Sequence, residues 1–128
     1  MARSVVAVDI GSTSVRAVEV SVAKSQPTLV RFLEIALPEG AVSRGEVIEA
    51  HTVGVIIKRV WSTGGFKSKN IVLGMGNQRV LARDLTVPRA TLAQIREALP
   101  FQVQDMLPVP VGEALLDFYP ISESMTDN

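Results

Sequence analysis

The stretch VVAVDIGSTSVRAVEV, residues 5 to 20, limits the fold more than any other part of this sequence. Its first half is apolar and rich in β-branched residues without alternation, which is typical of a strand covered on both faces. The small residues Gly11-Ser12-Thr13 follow, and the chain then resumes with the alternation of a half-buried strand. The stretch therefore predicts a β-hairpin at the start of the fold.

Asp9 stands at the end of this apolar strand, with Gly11, Ser12, Thr13 and Ser14 directly after it. A turn of small residues leaves backbone N–H groups free for phosphate oxygens, and the hydroxyls add further donors. Asp9 is placed to hold Mg²⁺ through its water ligands, because that ion keeps most of its hydration shell. The alternative is an ordinary hairpin turn with local hydrogen bonds. A carboxylate at the end of a fully apolar strand is costly without a ligand, which shifts the balance toward the phosphate and metal site, and both interpretations stay open.

Downstream of the hairpin, the apolar pattern predicts a third strand and then a helix. Residues 29–37 alternate, which completes an antiparallel meander, and Pro38-Glu39-Gly40 breaks the pattern. From residue 49 to residue 62 the apolar residues recur with helical spacing. This pattern predicts an amphipathic helix that is closed by Gly64-Gly65.

The next segment reads as a second hairpin. Residues 70–75 predict a strand, residues 76–78 a turn and residues 79–87 the partner strand. Strict alternation fails near Arg83, so we expect a β-bulge there.

A second helix and a last strand complete the predicted elements. Thr91 and Gln94 have the spacing of a capping box, and the helix that they open is expected to reach Met106 with a kink at Pro100. Residues 114–119 return as a strand. Strands that bracket helices at this spacing predict an α+β fold with helices on one face of a sheet.

Composition excludes several classes of protein. Thirteen basic and thirteen acidic side chains balance without clustering, so we expect neither a nucleic acid partner nor direct binding to an anionic bilayer. The absence of cysteine excludes disulfides and thiolate metal sites. No apolar run is long enough for a membrane span, and the first is broken too early for a signal peptide. We therefore expect a cytoplasmic protein with no direct membrane insertion.

Four segments taken together carry a resemblance to a known family: VVAVDIGSTSVRAVEV, LPEGAVSRGEVIE, VLGMGNQRVLARDLTVP and LPFQVQDMLPVPVGEALLDFYPI. They resemble the amino-terminal third of the PilM family of type IV pilus assembly proteins, which are actin-like and similar to the FtsA cell-division proteins. The first segment is shared with actins, sugar kinases and heat-shock chaperone ATPases, whereas the other three are more particular to PilM.

The resemblance implies a domain organisation. Residues 1–37 would be the first strands of an actin-like, ribonuclease-H-like nucleotide-binding subdomain. Residues 38–119 would form the inserted FtsA/PilM-type α+β subdomain, with a small sheet and two helices. Residues 120–128 would be a truncated return segment.

The resemblance also implies a function. Asp9, Gly11, Ser12, Thr13 and Ser14 would correspond to the first phosphate loop, which contacts ATP and its hydrated Mg²⁺. Members of the family are cytoplasmic ATP-binding scaffolds that capture the amino-terminal tail of PilN, an inner-membrane protein. The resemblance therefore implies recruitment to the inner face of the cytoplasmic membrane. Self-association through open sheet edges is a further partner prediction.

The chain ends where the family continues for more than this length, so we expect a fragment that lacks most of the nucleotide cleft. One hairpin offers a few charge-assisted hydrogen bonds of about 1.5–3 kcal/mol each, which is too little for tight binding once the cost of association is subtracted. We therefore expect ATP and Mg²⁺ in the complete protein and no tight binding of either by this chain alone.

Two classes of function stay open. One is an assembly scaffold, in which a partner's extended peptide docks in a groove between the meander and the inserted subdomain. The peptide would either add as a strand to a sheet edge or lie against the kinked helix with the apolar segment of residues 99–111. The alternative is a phosphotransferase or ATPase of the actin, sugar-kinase and heat-shock-chaperone superfamily, or an FtsA-like cell-division protein. Phosphoryl transfer needs a catalytic base and an acceptor pocket, and the sequence offers neither. His51 also lacks a second metal ligand at helical spacing. We therefore favour the scaffold and assign no catalytic residue.

Overall fold

The computed structural model describes residues 3–23, 26–74 and 76–125. Along the chain the elements are β1 (Arg3–Ile10), β2 (Ser14–Ala23), β3 (Gln26–Ala36), β4 (Val42–Ser43), β5 (Glu46–Val47), α1 (Ala50–Gly64), β6 (Ile71–Gly74) and α2 (Leu92–Val103). Contacts divide the chain into two compact units, residues 1–82 and 83–128. The α+β class with a small sheet and two helices is thus confirmed. Among the described residues, no helix combines the length and hydropathy that a bilayer crossing requires.

The first unit is built on a four-stranded sheet in the order β3-β2-β1-β6. The first three strands form the predicted antiparallel meander. β6 lies parallel to β1, with Val6 opposite Ile71 and Asp9 opposite Gly74. A parallel pair needs a long crossover connection, and here that connection carries α1, which packs against β2 and β3.

The core of this unit lies between α1 and one face of the sheet. Its buried members are almost all aliphatic, and each one larger than alanine contributes about 1.5–3 kcal/mol relative to an exposed side chain. They are Val6, Val8, Val15, Ala17, Leu37, Ala41, Val42, Val53, Ile56, Val60 and Phe66.

The carboxyl end of α1 is anchored to β3. Gly65 adopts the left-handed conformation, and its N–H donates to the carbonyl of Trp61 at 3.0 Å. Arg31 donates to the carbonyl of Gly65 at 2.6 Å, and its Nε lies 2.7 Å from the Glu19 carboxylate. Because the last carbonyls of a helix lack intrahelical donors and carry partial negative charge, this arginine stabilises the end of α1.

The structure corrects the second predicted hairpin. Residues 79–87 form no strand, so the partner strand and its bulge near Arg83 were wrong. Residues 71–74 instead form a parallel pair with β1. Their apolar side chains point to both faces of the strand, which is typical of parallel sheets. Met75, the last residue of the predicted strand, lies outside the described residues, as do residues 24 and 25.

In the second unit the start of α2 is confirmed, but its end is not. The Thr91 hydroxyl accepts from the N–H of Gln94 at 3.3 Å, and Gln94 Oε1 accepts from the N–H of Thr91 at 3.0 Å, as a capping box requires. The α-helix ends at Val103, and Gln104–Met106 forms a 3₁₀ turn instead of continuing it. Pro100 lies inside the helix as predicted.

The last predicted strand was also wrong, since residues 114–119 form none. This segment is instead joined to α2 by side chains. Arg96 lies 3.6 Å from the Asp117 carboxylate, and its guanidinium stacks 5.5 Å from the ring centre of Phe118. A strand needs a neighbour with free backbone groups, and the described part of this unit contains no other strand.

Candidate functional site

The candidate site begins at Asp9, near the carboxyl end of β1. In the sheet register Asp9 lies opposite Arg16 of β2 on one side and Gly74 of β6 on the other. Its side chain is 61% exposed, so the carboxylate is open to solvent and to a ligand.

The turn that follows is closed by two backbone hydrogen bonds. The N–H of Gly11 donates to the carbonyl of Ser14 at 2.9 Å, and the N–H of Leu37 donates to the carbonyl of Thr13 at 2.8 Å. Within the described chain, the N–H groups of Ser12 and Thr13 make no hydrogen bond, and both residues are exposed. A side chain at position 11 would press on the Ser14 carbonyl at 3.3 Å, which favours glycine there. Two unused amides therefore lie close in sequence to an exposed carboxylate.

Ser14 differs from its neighbours because it is buried, with only 5% of its surface exposed. Its hydroxyl donates to Glu34 Oε1 at 2.7 Å, and Nε of Arg16 donates to the same oxygen at 3.2 Å. Arg16 Nη1 also lies 3.9 Å from Asp9 Oδ2. These four residues, Ser14, Glu34, Arg16 and Asp9, form what we call the Glu34 cluster.

Sequence reasoning named Asp9 and Ser14 but missed Arg16 and Glu34. The signal that could have found them is the strand register, which places Arg16 opposite both Asp9 and Glu34. Facing side chains on antiparallel strands lie within contact distance, so counting outward from the turn would have brought the three charges together.

The hydrogen bond from Ser14, followed by that from Arg16, holds the pKa of the Glu34 carboxyl below its usual value. A lowered pKa in the folded protein means that the unfolded chain binds more protons near the ordinary range of glutamate. The stabilisation from Glu34 is therefore present above that range and is lost as the pH falls through the lowered native value.

We accordingly expect Glu34→Gln to lower the urea midpoint at neutral pH. The difference from the parent chain should shrink as the pH falls below the ordinary glutamate range, because the parent then loses the same interaction. Urea unfolding at a series of pH values measures this, with Glu39→Gln at an exposed position as the control. A difference that stays constant with pH would assign the effect to packing instead of charge.

The side chains near the loop suit a cation that keeps its water ligands better than one that is coordinated directly by the protein. Among the described residues, no group of three or more His, Asp or Glu side chains could hold a metal ion directly. Mg²⁺ that keeps its waters needs only one or two carboxylates together with phosphate oxygens. Asp9, with its side chain 61% exposed, supplies one such carboxylate.

Each unit also carries an apolar surface hollow. In the first unit a hollow of about 520 Å³ is lined mainly by Ile57, Trp61, Phe66 and Ile71. In the second unit a groove of about 380 Å³ runs along α2, between that helix and residues 87–90. Leu99 and Gln102 are the residues of the predicted docking segment that line this groove.

Comparisons with known proteins give one matching family and a similar fold. The family described as "Type IV pilus assembly protein PilM" matches residues 7–128. A solved structure described as "PilM-PilN type IV pilus biogenesis complex" is similar to 84% of this chain, with a TM-score of 0.72 and 23% sequence identity. The present chain spans 31% of the length of that relative. No curated protein matches the sequence significantly.

Proposed function

The chain belongs to the PilM family of type IV pilus assembly proteins, and we propose that it forms part of an ATP-binding scaffold that holds a PilN-like partner. The similar solved structure is named as a complex of PilM with PilN, which supports a partner of that kind. We further propose that the scaffold works in the cytoplasm, at the inner face of the membrane that carries the partner.

The first unit is proposed to be the start of an actin-like, ribonuclease-H-like subdomain. Its antiparallel meander, followed by a helical crossover and a strand parallel to β1, supports this assignment. In such a fold the loop after β1 lies at the end of the sheet where ligands bind. We propose that this subdomain extends through β6, beyond the boundary expected near residue 37, because β6 pairs with β1 and α1 shares the core of the meander. The boundary expected near residue 119 is kept as part of the proposal.

One observation carries the nucleotide part of the proposal: the unused amides of Ser12 and Thr13 lie close in sequence to the exposed carboxylate of Asp9. The two amides and their hydroxyls would donate to phosphate oxygens, and Gly11 would keep the turn tight. Asp9 would hold the waters of Mg²⁺, which neutralises phosphate charge when bound. Ser14 would act from beneath the loop, since its hydroxyl is engaged by Glu34.

We favour a scaffold over a phosphotransferase because, among the described residues at the loop, Asp9 is assigned to the waters of Mg²⁺ and Glu34 is already hydrogen-bonded. Glu34 accepts hydrogen bonds from Ser14 and Arg16, and its lowered pKa makes it a poor proton acceptor. General base catalysis needs a group with a pKa near the working pH and within hydrogen-bond reach of the nucleophile.

The nucleotide proposal is tested by NMR titration of this chain with Mg–ATP. The amide signals of Ser12 and Thr13 are expected to shift, and Asp9→Asn should weaken the effect about 10- to 100-fold, as loss of a partner to a metal's outer shell does. Asp105→Asn, at an exposed position in the second unit, is the matched control. If the amide signals of Asp9→Asn shift at the same Mg–ATP concentrations as those of the parent chain, the proposed site is wrong.

The partner is proposed to bind along α2. The side chain of Phe101 is 75% exposed, and Met106 and Val109 beyond the helix are also exposed apolar residues. An extended peptide with apolar side chains could cover them and extend along the groove beside Leu99.

We expect Phe101→Ala to weaken binding of a PilN-like amino-terminal peptide about 5- to 30-fold, since exposed aromatic anchors carry much of an interface's affinity. Phe32→Ala removes an aromatic ring that is 57% exposed in the first unit and serves as the control. Isothermal titration of the peptide measures both variants. Equal losses in the two would place the peptide elsewhere, and no binding at all would remove the scaffold proposal for this chain.

A further inference from the structure

Arg16 lies between two carboxylates at unequal distances. Its Nε is 3.2 Å from Glu34 Oε1, whereas its Nη1 is 3.9 Å from Asp9 Oδ2. All three side chains are about half exposed, so the arrangement is held by the register of the strands and by local hydrogen bonds.

The unequal distances follow from how Glu34 is held. The buried hydroxyl of Ser14 donates to the same oxygen that accepts from Arg16, which fixes the position of that carboxylate. Arginine therefore forms its shorter, charge-assisted contact with Glu34 and reaches Asp9 only at the outer limit of an ion pair.

This arrangement has a consequence for any cation at Asp9. If Arg16 closed on Asp9, its guanidinium would occupy the carboxylate oxygens and repel a second positive charge. A hydrated divalent ion uses the same oxygens as acceptors for its bound waters. The two cations therefore compete for one carboxylate.

We propose that Glu34 is a positioning residue that holds Arg16 away from Asp9 and so keeps the Asp9 carboxylate available to a hydrated divalent cation. This inference rests on the proposed function of the loop. It assigns a role to Glu34 and Arg16, neither of which is proposed to contact phosphate or metal.

The test uses Mn²⁺ as a paramagnetic probe of divalent cations on this chain. Broadening of the Ser12 and Thr13 amide signals reports an ion near Asp9 in the absence of any activity. Glu34→Gln keeps the side-chain shape and an oxygen for the Ser14 hydroxyl but removes the charge that attracts Arg16. We expect the apparent affinity for Mn²⁺ to fall about two- to fivefold, the effect of one exposed ion pair.

Removal of the arginine separates the electrostatic role from a purely structural one. The double variant Arg16→Gln/Glu34→Gln should regain at least the parent affinity for Mn²⁺, because the competing cation is gone. A merely structural role of Glu34 predicts that the double variant binds no better than Glu34→Gln, and that result would overturn the proposal. If Glu34→Gln does not fold, Arg16→Gln alone serves: equal or tighter Mn²⁺ binding supports the proposal, and weaker binding overturns it.

A second readout needs no metal ion. The Nε–H signal of Arg16 should move in Glu34→Gln as the guanidinium turns toward Asp9, and the added substitution Asp9→Asn should reverse that movement. If Mn²⁺ leaves the parent loop unaffected, the proposed site fails, and the Arg16 signal still decides whether Glu34 holds the arginine. If Mn²⁺ binds the parent and Glu34→Gln equally, the site stands and the role of Glu34 is refuted.

Discussion

Phe66→Ala is expected to lower the free energy of unfolding by about 3–5 kcal/mol, the usual cost of removing a buried phenylalanine. The ring is only 5% exposed and packs against Trp61 with 5.5 Å between ring centres. It also lies against Gly64, where an added methyl group would collide with it. Truncation removes the transfer free energy of the ring, the aromatic contact and the support at the end of α1.

The matched control is Phe32→Ala in the same unit. That ring is 57% exposed, and its loss should change stability by no more than about 0.5 kcal/mol. Urea unfolding followed by the fluorescence of the single tryptophan, which lies beside Phe66, measures both variants. A loss below 1 kcal/mol for Phe66→Ala would mean that the segment after α1 does not pack on the core as described.

Gly45→Ala is expected to cost about 3–5 kcal/mol, because backbone strain and a collision occur together. Arg44 and Gly45 form the two-residue turn between β4 and β5, with φ values of 51° and 75°. Positive φ at both positions suits a tight hairpin turn. A methyl group on residue 45 would overlap the backbone of Gly76 and Asn77.

A second glycine separates the cost of backbone strain from the cost of the collision. Gly40 also has a positive φ, 84°, but a methyl group there would meet no atom within 4 Å. Gly40→Ala should therefore cost only the conformational term of about 1–2 kcal/mol. Thermal unfolding of both variants gives the difference, which reports the contact between this turn and residues 76–77. Equal losses in the two would show that the contact is absent in solution.

An ion pair between Glu46 and Arg79 lies near this contact. The two groups lie 2.9 Å apart, so the β4–β5 hairpin and the segment after β6 meet through a charge pair as well as through close backbone packing. Sequence analysis had placed Arg79 on a strand that the structure does not contain. Its side chain instead forms an ion pair with Glu46 of β5.

Local patterns were sufficient wherever an element depends on its own neighbours in sequence. The apolar run ending at Asp9, the helical spacing of α1 and the capping box at Thr91 each identify an element through interactions within a few residues. The same local reasoning failed for residues 79–87 and 114–119, whose composition permits a strand but whose surroundings provide no ladder.

The sequence by itself determined the family, the opening meander and the position of a carboxylate before a small-residue turn. The tertiary structure alone decided that β6 pairs with β1, that the Ser14 hydroxyl is engaged by Glu34, and that Arg16 lies between two acids. Hydrophobic periodicity records which face of a segment is buried. It does not record which distant segment covers that face, because pairing depends on free energy shared between residues far apart in the chain.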